Sequence, residues 1–329
     1  MLREFRAARY CFSATVLDDM VLPEYKGSTF RGAFGNVMRS LCCTTRNDEC
    51  RNCEVEATCP YAYMFETRVP DDSDRLRNIE DIPRPFIIEP PETQATFFPS
   101  GSALSFNFVL FGRGIDFLPY AIVAFREIGE KGIGRHAGTY GRRAKFRLDR
   151  ADLVGFPPWT GCESRACVYD ASTGVVHPQP CVNGAEIEGI ASGLGGLDRL
   201  SLEFLTPTRL KYEHSYVERP EFHIIVRALL RRMSSLLYFH HGAAMEVDFG
   251  GLIERAKKVA LAATTARWLD WTRYSSRQGE RMQLGGIVGG AEYSGSMDEF
   301  APLLLAGTLT HVGKNVTFGL GRYSLACRR

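Results

Sequence analysis

The sequence predicts an α+β protein in which a βαββαβ unit occurs twice, in tandem. In each half of the 329 residues, apolar stripes at helical spacing lie between short strand-like runs. A stretch rich in Gly, Pro and Ser, residues 151–197, separates the halves. A cluster of cysteines interrupts the first half just after its first helix.

Residues 5–17, FRAARYCFSATVL, read as the first strand, with imperfect alternation. LPEYKG turns the chain. From about Ser28, Phe30, Ala33, Phe34, Val37, Met38 and Leu41 recur at helical spacing along one face. RPFIIEP and ALSFNFVLFG, rich in β-branched and aromatic residues, read as two strands. LPYAIVAFREIGEKG reads as a second amphipathic helix stopped by glycine, and RRAKFRLD as the closing strand. The second half repeats the order. LDRLSLEFLTP reads as a strand and FHIIVRALLRRMSSLLYF as a long helix, with a further helix over about 252–266. ARWLDWTRYSS and MQLGGIVGGAEYSG follow as paired strands, then DEFAPLLLAGTL as a helix and VTFGLGRYSLAC as the last strand. Each half therefore has the split-βαβ, ferredoxin-like (RRM-like) order. The expected domains are 1–150 and 198–329, joined by 151–197.

Hydrophobic residues make up 45% of the chain, which fits a buried core and not a disordered segment. No apolar run reaches the roughly 18 residues needed to cross a bilayer. The start, MLREFRAARYCFSATV, scatters charge where a signal peptide is apolar. A cytoplasmic protein with no membrane partner is expected.

Net charge is only +2, but it is unevenly spread: residues 198–329 hold 18 Lys and Arg against 13 Asp and Glu. Within the first half, Lys131, Arg135, Arg142, Arg143, Lys145, Arg147 and Arg150 face one acid, Asp149. A basic stripe on a near-neutral protein suits a defined track for a polyanion; a solvated strand face is the plain alternative.

Ten cysteines in a chain read as cytoplasmic are poor candidates for structural disulfides. Five fall in CCTTRNDECRNCEVEATC, from Cys42 to Cys59. Cys50 and Cys53 form a C-x2-C pair whose thiolates reach one metal across a tight turn. Cys59 offers a third ligand and Cys43 a fourth, with Cys42 as the alternative to Cys43. Four thiolates in tetrahedral array make a closed structural zinc site without an open position for chemistry. The loop 42–60 is expected to be such a staple; an iron–sulfur cluster or free thiols are the other readings.

Near the end, HVGKNVTFGLGRY sets Gly313, Gly319 and Gly321 among basic residues. It is not a P-loop, because no G-x4-G-K-[ST] occurs there. Its G-x5-G-x-G follows a helix and opens a strand, the wrong context for a dinucleotide fingerprint. Close approach of a nucleic-acid backbone to the 313–321 loop fits better, with Lys314 and Arg322 on phosphates.

These pieces together resemble a known family. GGIVGGAEYSG…FAPLLLAGTLTHVGKNVTFGLGRY is similar to the C-terminal signature of the CRISPR-associated Cas-six endoribonucleases, of the RAMP superfamily. LPEYKGSTFRGAFG, CRNCEVEATCPYAYMFE, LPYAIVAFREIGEKGIGR and LEFLTPTRLK match in order. The resemblance covers nearly the whole chain outside roughly 151–190. It implies tandem ferredoxin-like domains, binding of the CRISPR repeat in precursor crRNA, and one metal-independent cut per repeat. The 2′-hydroxyl attacks the adjacent phosphate, leaving a 2′,3′-cyclic phosphate and a 5′-hydroxyl.

Such a reaction needs a base, an acid and positive charge on the phosphorane. Family members often carry a histidine near the first helix, yet this chain has none before His136. Chemistry there falls to Tyr25 as proton donor or relay, with Lys26 and Arg31 stabilising the phosphorane. His311 and His136 are the alternative bases, suited by a pKa near neutrality. The expected RNA-positioning residues are Gly313, Lys314, Gly319, Gly321 and Arg322 in the loop, and Arg135, Arg142, Arg143 and Lys145 on the basic strand. A non-catalytic crRNA-binding RAMP subunit of an effector complex is the competing reading. A general RNA-binding protein is a weaker one, since the RNP aromatic motif is absent.

Overall fold

The structure is a computed structural model. It describes all residues except 46–49, 52, 70–72, 74–81, 138–141, 157–163, 276–279 and 328–329. The chain forms two compact units, Ala7–Cys181 and Met1–Arg6 with Val182–Arg329.

In the first, β1 (Arg6–Val16) leads to α1 (Gly27–Cys42), a short α2 (Pro60–Phe65), β2 (Phe86–Glu89) and β3 (Ala103–Phe111). Then come α3 (Leu118–Lys131), the short strands β4 (Ile133–Ala137) and β5 (Arg142–Ala144), and β6 (Phe146–Val154) and β7 (Arg165–Asp170). The sheet order β2–β3–β1–β6 is that of a ferredoxin-like unit, with β7 added outside β6. Alternation in β1 sends Tyr10, Phe12, Ala14 and Val16 into the core under the helices. There Phe12, Phe34, Phe106, Phe108 and Phe125 pack ring against ring, with Phe34 stacked on Phe125 at 5.2 Å. The opposite face holds a buried ion pair. Arg9 Nε donates to Glu89 at 2.8 Å, and Asn107 donates to the same carboxylate oxygen at 2.9 Å.

The second unit repeats the plan. It begins with α4 (Gly184–Leu194), entered through a capping box between Asn183 and Glu186. Next are β8 (Arg199–Thr208), the small hairpin β9 (Lys211–Tyr212) and β10 (Ser215–Tyr216), and α5 (Phe222–His241). α6 (Phe249–Ala256), β11 (Ala260–Thr264), β12 (Arg267–Leu269), β13 (Gly286–Ser294), α7 (Ala301–Thr310) and β14 (Tyr323–Cys327) complete it. The order β11–β13–β8–β14 is again ferredoxin-like, and β12 also pairs with β13.

The structure departs from the sequence reading in four places. The helix expected over 252–266 is α6 only to Ala256; the Ala-rich remainder is β11, because pairing with β13 overrides its helical propensity. Leu41 lies outside the buried stripe of α1 at 42% exposure. The last strand starts at Tyr323, since Val316–Phe318 form a 3-10 turn. Residues 151–197 are no mere connector: β6 runs on to Val154 and pairs with β7, while α4 belongs to the second unit.

Candidate nucleic-acid interface

The glycine-rich loop is locked to β8 by backbone contacts. Val312 N–H donates to Gly321 C=O at 2.9 Å, Gly321 N–H to Pro207 C=O at 3.2 Å, and Lys314 N–H to Arg209 C=O at 3.0 Å. Thr206 Oγ1 donates to Gly319 C=O and accepts from Arg322 N–H, both at 2.9 Å. Gly313 and Gly321 have positive φ, and a Cβ on either would strike backbone: Arg209 C=O at 2.6 Å or Val312 C=O at 1.9 Å. Both glycines are required by the protein's own chain crossings. What the loop offers outward is Lys314, which is exposed, whereas Arg322 is half-buried.

His311 sits at the C-terminal end of α7 with a φ of 57° and no solvent exposure. Its Nδ1 lies 3.0 Å from Leu320 C=O. A ring so enclosed and committed ties the two ends of the loop together and cannot meet a ribose hydroxyl, which corrects its reading as a base. Arg232 on α5 caps the same corner, donating from Nε to Thr310 C=O at 2.5 Å.

In the other unit, Lys26 precedes α1 and is 1% exposed. Its ammonium donates to Glu24 C=O at 2.8 Å and Thr93 C=O at 2.7 Å. Burial pulls its pKa down, partly offset by Glu24. It therefore fastens a turn and is not presented to a phosphate, which corrects its reading as a contact for the phosphorane. Arg31 lies with its guanidinium over the Phe65 ring, 4.8 Å from the centroid. Tyr25 and Arg31 are both half-buried, so each has a partly open edge. His136 lies on β4, and its side chain is outside the described residues.

The basic stripe sorts itself by pairing. Lys131 bridges Glu127, Arg147 bridges Asp149, and Arg150 bridges Asp152. Arg135, Arg142, Arg143 and Lys145 are exposed and make no ion pair among the described residues. β4, β5 and the residue that joins β5 to β6 thus carry positive charge that no acid pairs among the described residues, the form that attracts a polyanion.

The five cysteines of the inserted loop line one pocket, at the junction of α1 and α2. Cys53 N–H donates to Cys50 C=O at 3.1 Å, the tight turn of the C-x2-C pair. Cys42 ends α1, and burial, with Cys59 and Cys43 adding, pushes its thiol up to about 11. Among the described residues no three His, Cys, Asp or Glu groups are already drawn together around a metal position.

A cluster that sequence reading passed over stands at the root of the glycine loop. The guanidinium of Arg209 lies 4.0 Å over the ring of Tyr216, and Tyr216 meets Trp268 at 6.0 Å between centroids. Neither period nor motif marks it, because its members come from β10, β12 and the turn after β8.

Comparison with known proteins agrees with this fold. The AF_1859_N family, an N-terminal domain, matches residues 5–181, and CRISPR-associated endoribonuclease Cas6 matches 202–323. An uncharacterized protein of Archaeoglobus fulgidus is 24% identical over 314 residues, covering 92% of both chains. The solved Thermus thermophilus Cas6 superimposes with a TM-score of 0.53 at 13% identity, over 98% of this chain and 99% of its own. A Cas6 product complex gives 0.56 at 14% identity, over 98% and 99%. A partial Cas6-RT-Cas1–Cas2 complex gives 0.57 at 11% identity over 98% of this chain, which spans only 46% of that longer one. Among the described residues no helix is long and apolar enough to cross a membrane. With the AF_1859_N model matched over more than half of its length, the chain belongs to the family that carries the AF_1859_N domain, and most of its remaining residues match the Cas6 endoribonuclease model.

Proposed function

We propose that the protein binds the repeat of CRISPR precursor RNA and cuts it once within that repeat. The observation that carries this reading is the Cas6 domain match over 202–323. The exposed cations Lys314, Arg135, Arg142, Arg143 and Lys145 supply phosphate contacts in support. In the reaction the 2′-oxygen attacks the adjacent phosphorus as a base takes its proton. The bond to the 5′-oxygen then breaks, and an acid returns a proton to that oxygen. Arg31 is the remaining candidate for stabilising the phosphorane, Tyr25 for the acid and His136 for the base.

Burial of His311 and Lys26 favours a second reading, a crRNA-binding subunit of a CRISPR effector complex that does not cut. Incubating the protein with its own repeat RNA in EDTA separates the two. A discrete product ending in a 2′,3′-cyclic phosphate supports cleavage; tight binding of intact RNA supports the subunit.

The cysteine pocket is proposed as a structural zinc site held by Cys50, Cys53, Cys59 and either Cys43 or Cys42. Five thiols around one pocket and a formed C-x2-C turn fit the soft, tetrahedral preference of zinc, once the loop closes on the ion. One zinc per chain by elemental analysis, lost in Cys50→Ser, is expected. A metal-free folded protein, or iron with sulfide, overturns the assignment.

A further inference from the structure

Exposed apolar side chains cost solubility unless something uses them, and the second unit sets an exposed tyrosine, a half-buried tryptophan and an exposed leucine at one place. Tyr216 is 46% exposed, Leu269 beside Trp268 is 36% exposed, and Trp268 is half-buried. The indole is held by its edge, with Nε1 donating to Asp270 at 2.8 Å. Arg209 is equally fixed: Nη1 donates to Gln283 C=O, and its buried Nε has no hydrogen-bond partner among the described residues. Its planar group stacks on Tyr216 and pairs with no acid among the described residues.

Besides Asp270, three cations border the cluster. Lys211 is the cross-strand partner of Tyr216, and Arg267 precedes Trp268. Lys314 hangs from Arg209 by the backbone bond at 3.0 Å. All three are exposed. Aromatic faces bordered by exposed positive charge are what an unpaired nucleobase needs: a π-surface for the ring and cations for the flanking phosphates.

We propose that the Arg209–Tyr216–Trp268 stack takes an unpaired nucleobase of single-stranded RNA, with Lys314 and Lys211 on the adjoining phosphates. This rests on the RNA-binding reading above and adds to it a place where a base leaves the helix or loop. A base-paired duplex offers no free ring face, so the stack favours single-stranded over paired RNA.

The test measures binding by fluorescence anisotropy of a labelled single-stranded uridine 12-mer and of a blunt RNA duplex, over a salt series, with thermal melts as the check on folding. Tyr216→Ala and Trp268→Ala are each expected to weaken single-strand binding about ten-fold or more. The salt slope stays unchanged, duplex binding is unaffected, and Tyr216→Phe remains within about two-fold of the parent, since the ring is kept. Parental affinity for the 12-mer in both alanine variants overturns the stack while leaving RNA binding intact, and frees the patch for a protein partner. A reduced slope also overturns it, because the residues would then act through charge. A parent that binds neither RNA at low salt defeats the RNA-binding reading itself, and the stack with it.

Discussion

The carbonyl of Val312 occupies the space into which a side chain on Gly321 would grow, 1.9 Å from the position of its Cβ. With φ at 74°, Gly321 is constrained both by conformation and by room. Gly321→Ala is therefore expected to cost roughly 3 kcal/mol or more, as strain and overpacking combine. Gly189→Ala, on an exposed turn of α4 with nothing within 4 Å of the new Cβ, should instead gain about 0.5–1 kcal/mol. Urea unfolding of both variants checks the sign as well as the size.

Lys26→Met keeps the chain's bulk but removes the donor that Glu24 C=O and Thr93 C=O share. Removing a buried donor and stranding two carbonyls costs about 1–3 kcal/mol. Stability should fall by that amount while RNA cleavage per folded molecule is unchanged. A rate falling by orders of magnitude at parental stability would restore Lys26 to the chemistry.

Both folding units were legible because period and order survive in the sequence: Phe30, Phe34, Val37 and Met38 mark α1, and the same six elements recur after residue 198. β11 was not legible, because ALAAT carries helical propensity and becomes a strand only beside β13. Burial explains the missed site roles. A lysine or histidine reads as chemistry in a string, and only the Thr93 and Leu320 carbonyls, 67 and 9 residues away, reveal Lys26 and His311 as fasteners. The Arg209–Tyr216–Trp268 stack had no linear signature, since its partners meet only when β12 joins β13.

His241 at the end of α5 gives the second unit a pH dependence. Its Nδ1 lies 3.0 Å from Leu236 C=O, and its Nε2 lies 3.0 Å from both the N–H and the C=O of Arg6. Burial lowers its pKa below the ordinary 6.5, against smaller opposing contributions from those backbone bonds. The unfolded chain thus binds the proton more readily than the folded one. Its contribution is full above about pH 6.5 and is lost as pH falls toward the lower folded pKa. Melting temperature should decline between pH 7 and 5, and His241→Gln should reduce that decline. An identical decline in the variant would place the titration elsewhere.

The two cationic patches make separable predictions for RNA binding. Arg142 and Arg143 lie exposed on β5 without an ion pair among the described residues, so their charge is free to displace counterions from a phosphate backbone. Arg142→Ala with Arg143→Ala should lower the slope of log affinity against log salt by about one for each phosphate that the protein no longer neutralises. In the other unit, Lys314→Ala should lower it by the amount expected for a single phosphate. Arg322→Ala should change the slope less, because the side chain is half-buried and its backbone is built into the loop through Thr206. Equal slope changes at Lys314 and Arg322 would mean that the loop opens to bind RNA. Unchanged slopes in every variant would move the phosphate track off both patches.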